Sequence, residues 1–338
     1  MRSSGGYELV LVGDLGGTNA RLGIASFDRG RPVLRSCTTL SASDFRAPED
    51  LIAAYLACLS LPSPPWAAVL AAAGPVARGC VFFTNLNWHI SEDVLARKFG
   101  LERALLVNDF VALAKSIPAL ASNDVTIIGP ELDGTPGEAV AVLGPGTGFG
   151  VSAIVTRDGH ETVLPTEGGH LPFAPRYEVE IVVWRALCER FNRVSIERIL
   201  SGPGLLNLYS TLCRIDGKIP VFSDPGQITS AAEEGDELAA RTVDEFCAIL
   251  GSVAGDIALS LGARGGVLIG GGMAPRLLGR LQSGAFRKSF EAKGRLEAYV
   301  KGIPTRVIVQ PYATLLGAAR ILMHDRTSVE ANRVPASR

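Results

Sequence analysis

Two glycine turns and a handful of acids carry most of the chemistry open to this sequence. The stretch LVLVGDLGGTNAR at 9–21 places Asp14 where an apolar run meets Gly16, Gly17 and Thr18. As a plain hairpin, the glycines simply permit positive φ angles. As a site, their missing side chains let backbone N–H groups approach phosphate oxygens, Thr18 adds a hydroxyl, and Asp14 faces a magnesium ion through water. A second turn, GPGTGFG at 144–150, holds four glycines and Thr147 in seven residues. It matches neither GxGxxG nor GxxxxGK(S/T), so the dinucleotide and P-loop fingerprints both fail. It remains richer in glycine than a hairpin needs, which makes it a second candidate phosphate-facing loop.

Three further groups offer side-chain chemistry. Asn108-Asp109 ends a short apolar run just before a helical pattern. There it serves either as a helix N-cap or as a general base at a strand's carboxyl end, where α/β proteins gather ligands. TEGGH sets Glu167 and His170 three apart around two glycines, between Pro165 and Pro172. The bland alternative is a polar surface turn; the functional one is a carboxylate and an imidazole close to a ligand with neighbouring hydroxyls. Glu197, in SIERILSGPG, reads by itself as a first-turn helical acid after Ser195.

The totals narrow the function classes. With 33 basic and 34 acidic residues interspersed along 338, there is no electrostatic footprint for nucleic acid or an anionic membrane surface. The length implies two domains or one large α/β unit. Six cysteines lie at 37, 58, 80, 188, 213 and 247 without a CxxC pair, so neither a zinc site nor a disulfide framework is indicated, which suits a reducing cytoplasm. The most apolar stretch, 66–77, is broken by Gly74 and Pro75, and the aliphatic run at 9–12 is too short for a signal-peptide core.

The elements that must position these groups follow from periodicity. Residues 9–12 read as a central strand, paired through GGTN with 21–26; 67–73, 104–107, 139–143, 151–155 and 267–269 read as further strands. Helices are expected around 50–59, over 91–99 behind the cap Ser91, from 110 to Pro118, and over 243–261, where Val243, Phe246, Leu250, Val253, Ile257 and Leu261 share a face. From about Asp325 the chain is polar and aperiodic, which predicts a frayed tail. A hairpin with a glycine turn opens each half, implying two related α/β lobes.

Together the motifs VGDLGGTNARL, FTNLNW, NDFVALAKSIP, GPGTGFGV, EGGH, ERILSGPGLLNLY, GGVLIGGGMAPR and the late KGIP resemble those of bacterial glucokinases of the non-ROK type, from residue 10 to about 319. The resemblance implies a two-lobed actin-like ATPase (ribonuclease H-like) fold with a cleft between lobes, a small domain of 1–119 plus 312–338 and a large one of 120–311. It implies transfer of phosphate from ATP to the 6-hydroxyl of glucose, with Mg2+, in a cytoplasmic homodimer. Gly13, Asp14, Leu15, Gly16, Gly17 and Thr18 would form the first phosphate loop, with Asp14 on the magnesium side. Gly146, Thr147 and Gly148 would lie in the second, and Gly270, Gly271 and Gly272 would pack against the adenosine. Asn108, Asp109, Glu167, His170 and Glu197 would hold the sugar, with Asp109 as base, and Thr84-Asn85 would lie nearby. Two departures stand out: the loop after 67–73 reads AAAGPVARG where the family often carries a different polar residue, and the tail beyond His324 is longer than usual.

Other classes fit less well. A non-catalytic sugar sensor of the same fold could dispense with Asp109 or Asp14, and a chaperone-like ATPase has no need of EGGH. An NAD-dependent oxidoreductase requires a βαβ fingerprint. A ROK kinase would carry a zinc-binding cysteine cluster.

Overall fold

The computed structural model describes residues 8–83 and 87–331, and Thr84-Asn85 lies outside them. The chain divides into two units, with boundaries at 121/122 and 309/310; the first unit is built from both ends of the chain.

The first unit contains β1 (Val10–Leu15), β2 (Asn19–Asp28), β3 (Arg31–Ser41), β4 (Ala67–Ala72), the hairpin of β5 (Cys80–Phe83) and β6 (Trp88–Ser91), and β7 (Arg103–Asn108). Its five-stranded sheet runs β3-β2-β1-β4-β7, with β1, β4 and β7 parallel and β2 and β3 antiparallel to their neighbours. The central strands are buried on both faces and so read as continuous apolar runs. Val10 and Val12, with Ala67 and Val69, face Leu315, Ala318, Ala319 and Leu322 of the helix Ala313–Ala331. Leu11, Leu15, Ala68 and Leu70 face a second cluster that includes Leu51 and Ile52 of the helix Pro48–Ala57 and Leu95 of the helix Glu92–Phe99. Each such Leu, Ile or Val contributes on the order of 1.5–3 kcal/mol by burial.

Register matters most for function. Leu15 pairs with Ala72, and Ala72 with Asn108. The carboxyl ends of β1, β4 and β7 therefore finish level, which brings Asp14 and Asn108 to one edge. The helix Asp109–Ser116 starts there and packs closely on the C-terminal helix: a Cβ on Gly317 would overlap the carbonyl oxygen of Ala112.

The second unit repeats the plan with β8 (Val125–Ile127), β9 (Val140–Pro145), β10 (Phe149–Arg157), β11 (His160–Thr166), β12 (Gly266–Ile269) and β13 (Thr305–Ile308). The order is β11-β10-β9-β12-β13-β8, so the first five strands copy the first unit's arrangement and β8 is an antiparallel addition. Its core is centred on the helix Glu237–Leu261, which starts six residues before Val243 because Asp236 caps it by accepting from Ala239 N–H at 2.8 Å. Gly251 and Gly255 let the helix Ala285–Glu291 approach until its Phe286 and Phe290 carbonyls occupy the space of a Cβ.

The expectation of a frayed tail from about Asp325 is corrected as far as Ala331, and residues 332–338 lie outside those the structure describes. Helix continues to Ala331, past Asp325, because neither glycine nor proline interrupts 318–334.

Candidate active site

In the first unit, β1 delivers Asp14 as its penultimate residue, directly opposite Arg21 of β2. Arg21 Nη1 lies 3.2 Å from Asp14 Oδ2, and the Asp14 side chain is only 15% exposed. Burial pushes the Asp14 carboxyl above its ordinary 3.8, against the opposing pull of the Arg21 guanidinium. A desolvated carboxylate with one partial counter-charge suits a hard cation that retains its waters, so Asp14 fits a magnesium-facing role. Among the described residues no cluster of three metal-ligating side chains occurs.

The following turn differs in one respect from the sequence expectation. Neither Gly16 nor Gly17 adopts a positive φ. Gly16 is required instead because a Cβ would sit 2.9 Å from the Asn19 carbonyl oxygen, whose acceptor it meets with its own N–H at 3.0 Å. Thr18 is exposed, whereas Leu15 is buried. Gly13 lies inside β1, where a Cβ would meet Leu22 and Leu70 methyls at 2.7 Å, so it is a core spacer rather than a turn residue.

At the end of β7 the cap is Asn108, not Asp109. Asn108 Oδ1 accepts from Phe110 N–H at 3.0 Å and Val111 N–H at 3.2 Å, while its Nδ2 donates to Gly74 O at 3.4 Å. Asp109 is the first helical residue, and its Oδ1 accepts from Phe110 N–H at 3.0 Å. The capping role and the candidate base are therefore separate residues.

The second unit gathers Glu167, His170 and Glu197 around the start of β10. TEGGH forms a single 3-10 turn, Gly168–His170, tied down by Thr166, whose Oγ1 donates to Val151 O and accepts from Gly168 N–H. Its glycines allow close packing: a Cβ on Gly168 would meet the Val151 side chain at 2.9 Å, and one on Gly169 would overlap Phe149 O. Glu167 and His170 are both exposed, with Oε2 and Nε2 4.0 Å apart. Glu197 lies in another 3-10 turn, Ile196–Arg198, rather than in a longer helix, and its Oε2 accepts from Phe149 N–H at 2.9 Å. Ile196 N–H donates to Leu171 O at 2.9 Å, which joins the two turns.

The second glycine turn is braced on both sides. Gly146 O accepts from Gly202 N–H at 2.9 Å, and Gly146 N–H donates to Gly148 O at 2.8 Å. On the far side, Gly270 N–H donates to Leu143 O at 2.8 Å, and a Cβ on Gly144 would overlap Gly270 O. Gly271 has φ +82 and packs against Pro145 O. Thus Gly144, Pro145 and Gly146 lie beside Gly270, Gly271 and Gly272. Sequence reasoning gave no role to Ser201 or Gly202. Ser201 Oγ caps the helix Gly202–Ile215 through Gly204 N–H and donates to Glu197 O. The signal was present as a serine before Gly-Pro-Gly at the head of an apolar run.

A duplicated five-stranded plan, each copy opening with a glycine turn between its first two strands, defines the actin-like ATPase fold that sugar kinases use. Three comparisons agree. A family model described as "Glucokinase" matches residues 11–325. The glucokinase of Caulobacter sp. (strain K31) is 49% identical over 317 residues, covering 94% of this chain and 96% of that protein. Glucokinase from an Antarctic psychrotroph superimposes with a TM-score of 0.79 at 35% identity, covering 94% of this chain and 99% of that one. Glucokinase from Balamuthia mandrillaris in complex with glucose shares the fold, with a TM-score of 0.79 at 19% identity over 96% of this chain and 95% of that one. The chain belongs to the glucokinase family and is an ATP-dependent sugar kinase.

Proposed function

We propose that the protein transfers the γ-phosphoryl group of ATP to the 6-hydroxyl of glucose, the first step of glucose use in glycolysis, with Asp109 as the general base. Phosphoryl transfer asks little covalent chemistry of a protein; positioning and charge stabilisation do most of the work. The observation that carries the reading is the placement of Asp109, on the first residue of a helix at the level carboxyl edge of β1, β4 and β7. Its backbone is fixed by the Asn108 cap immediately before it.

Asp109 accepts the proton of the sugar hydroxyl as its oxygen attacks phosphorus. Asn108, whose Oδ1 already serves two helix amides, meets the sugar as a donor through Nδ2. Glu167, His170 and Glu197 take the remaining hydroxyls. A site that bonds each hydroxyl rejects an analogue lacking one by up to about 10⁴-fold, because its polar groups are then left unpaired. Backbone N–H groups of residues 13–18 and 146–148 face the phosphates, and Gly270, Gly271 and Gly272 form the adenosine side. Asp14 would hold Mg2+ through water; that ion, bound with ATP, neutralises charge on the phosphate oxygens. The family resemblance further supports a cytoplasmic homodimer, for which light scattering should give twice the 35.6 kDa chain mass.

The test is D109N. Loss of a general base costs about 10²–10⁴ in rate. The variant should bind glucose with nearly unchanged affinity in calorimetry while kcat falls within that range, and a near-normal kcat would refute the assignment.

A further inference from the structure

Two loops of the second unit meet at one residue. Phe149 closes the glycine turn and opens β10, and its N–H donates to Glu197 Oε2 at 2.9 Å. Its carbonyl oxygen lies against Gly169 of the TEGGH turn, where no Cβ would fit. One residue earlier, a Cβ on Gly148 would fall on Glu197 Oε2, so a side chain there requires the carboxylate to shift. The carboxylate assigned above to the sugar is therefore also the acceptor that fixes the backbone of the phosphate-facing turn.

We propose that Glu197 couples the two substrates, holding the glycine turn through Phe149 N–H while engaging a sugar hydroxyl, so that a change at either contact is felt at the other. The proposal rests on the reading of Glu197 as a sugar ligand and of residues 144–150 as a phosphate loop. An ionised carboxylate has about four lone-pair sites on two oxygens, enough for both partners. A hydrogen bond to such a charge is roughly twice as strong as a neutral one, so the carboxylate does not leave the turn freely. The turn itself has few alternatives, being fixed by Gly202 N–H on Gly146 O and by Gly144 against Gly270. Movement of the carboxylate is thus transmitted to 148–149 rather than absorbed. Any such coupling in binding is reciprocal.

Binding is measured by calorimetry with each ligand alone: glucose without nucleotide, and AMPPNP with magnesium chloride without sugar. G148A, a change in the phosphate turn, should weaken glucose binding by about 5-fold or more, the lower end of ordinary coupling. E197A should weaken both ligands. E197Q keeps an acceptor for Phe149 N–H, so it should weaken glucose while AMPPNP affinity stays within ~2-fold of the parent. E167Q, which leaves this contact alone, should weaken glucose only. The coupling is overturned if G148A alters AMPPNP binding alone and E197A alters glucose binding alone while E167Q still weakens glucose. If E167Q and E197Q both leave glucose affinity intact, the sugar-site reading itself has failed and the coupling falls with it. Should G148A not fold, E197A against E197Q on AMPPNP decides the matter.

Discussion

Asp14 shows how a single residue changes meaning between sequence and structure. In the sequence it is an acid before a glycine turn; in the sheet it is a desolvated carboxylate facing Arg21 across β2, with its pKa raised by burial. Such a group has much to gain from a cation supplied with the nucleotide. D14N should therefore raise the magnesium concentration needed for half-maximal turnover and lower kcat at fixed magnesium, measured in a coupled phosphorylation assay across a magnesium titration. An unchanged magnesium requirement would remove Asp14 from that role. Asn108 and Asp109 divide their work in a way the sequence left open, since either residue type caps helices well. Only the hydrogen bonds from Phe110 and Val111 assign the cap to Asn108.

At the scale of elements, the helix Glu237–Leu261 carries an electrostatic load within the second unit's core. Burial and the nearby Glu180 and Asp244 push the Glu245 carboxyl above its ordinary 4.5, and Arg241 and Arg176 pull it back only in part. Glu180 is itself buried and accepts from Arg176 Nη2 at 3.1 Å and from Arg176 N–H at 2.7 Å. A carboxyl whose folded pKa is raised binds its proton more tightly in the native state, so its contribution to stability falls as pH rises above 4.5. E245Q should thus have a higher Tm than the parent at pH 7, and the difference should shrink towards zero as the pH is lowered to 4.5 and below. A Tm difference independent of pH would show that packing, not charge, sets it. Among the elements that sequence periodicity revealed, β1, β4, β9 and β12 are buried on both faces and this helix along one clean stripe. The edge strands β3 and β11 escaped because half-exposed edges alternate polar and apolar residues without a continuous run. The site was legible as residue types but not as geometry. Nothing in the spacing of Phe149, Gly169 and Glu197 reveals that they meet, because the contact spans 48 residues and depends on the register of β10 against β9.

For the whole molecule, the decisive fact is that the first unit needs both ends of the chain and the second does not. Residues 122–309 are continuous and enclose their own core around Phe246, Leu250, Phe286 and Phe290. The first unit's sheet has one face covered by Leu315, Ala318, Ala319 and Leu322, supplied only after the chain returns at Gln310. Without them Val10, Val12, Ala67 and Val69 would face water, at a cost on the order of 1.5–3 kcal/mol for each valine, which approaches the whole stability of a domain once the cluster is summed. The same helix also supports Asp109, since Gly317 seats against Ala112 of the helix that Asp109 begins. A chain ending at Val309 should therefore lose all glucose phosphorylation yet keep one cooperative thermal transition, coincident with that of a separately expressed 122–309 fragment in scanning calorimetry. Two transitions in the truncated chain, or none in the fragment, would show that the cores do not divide where the contacts do.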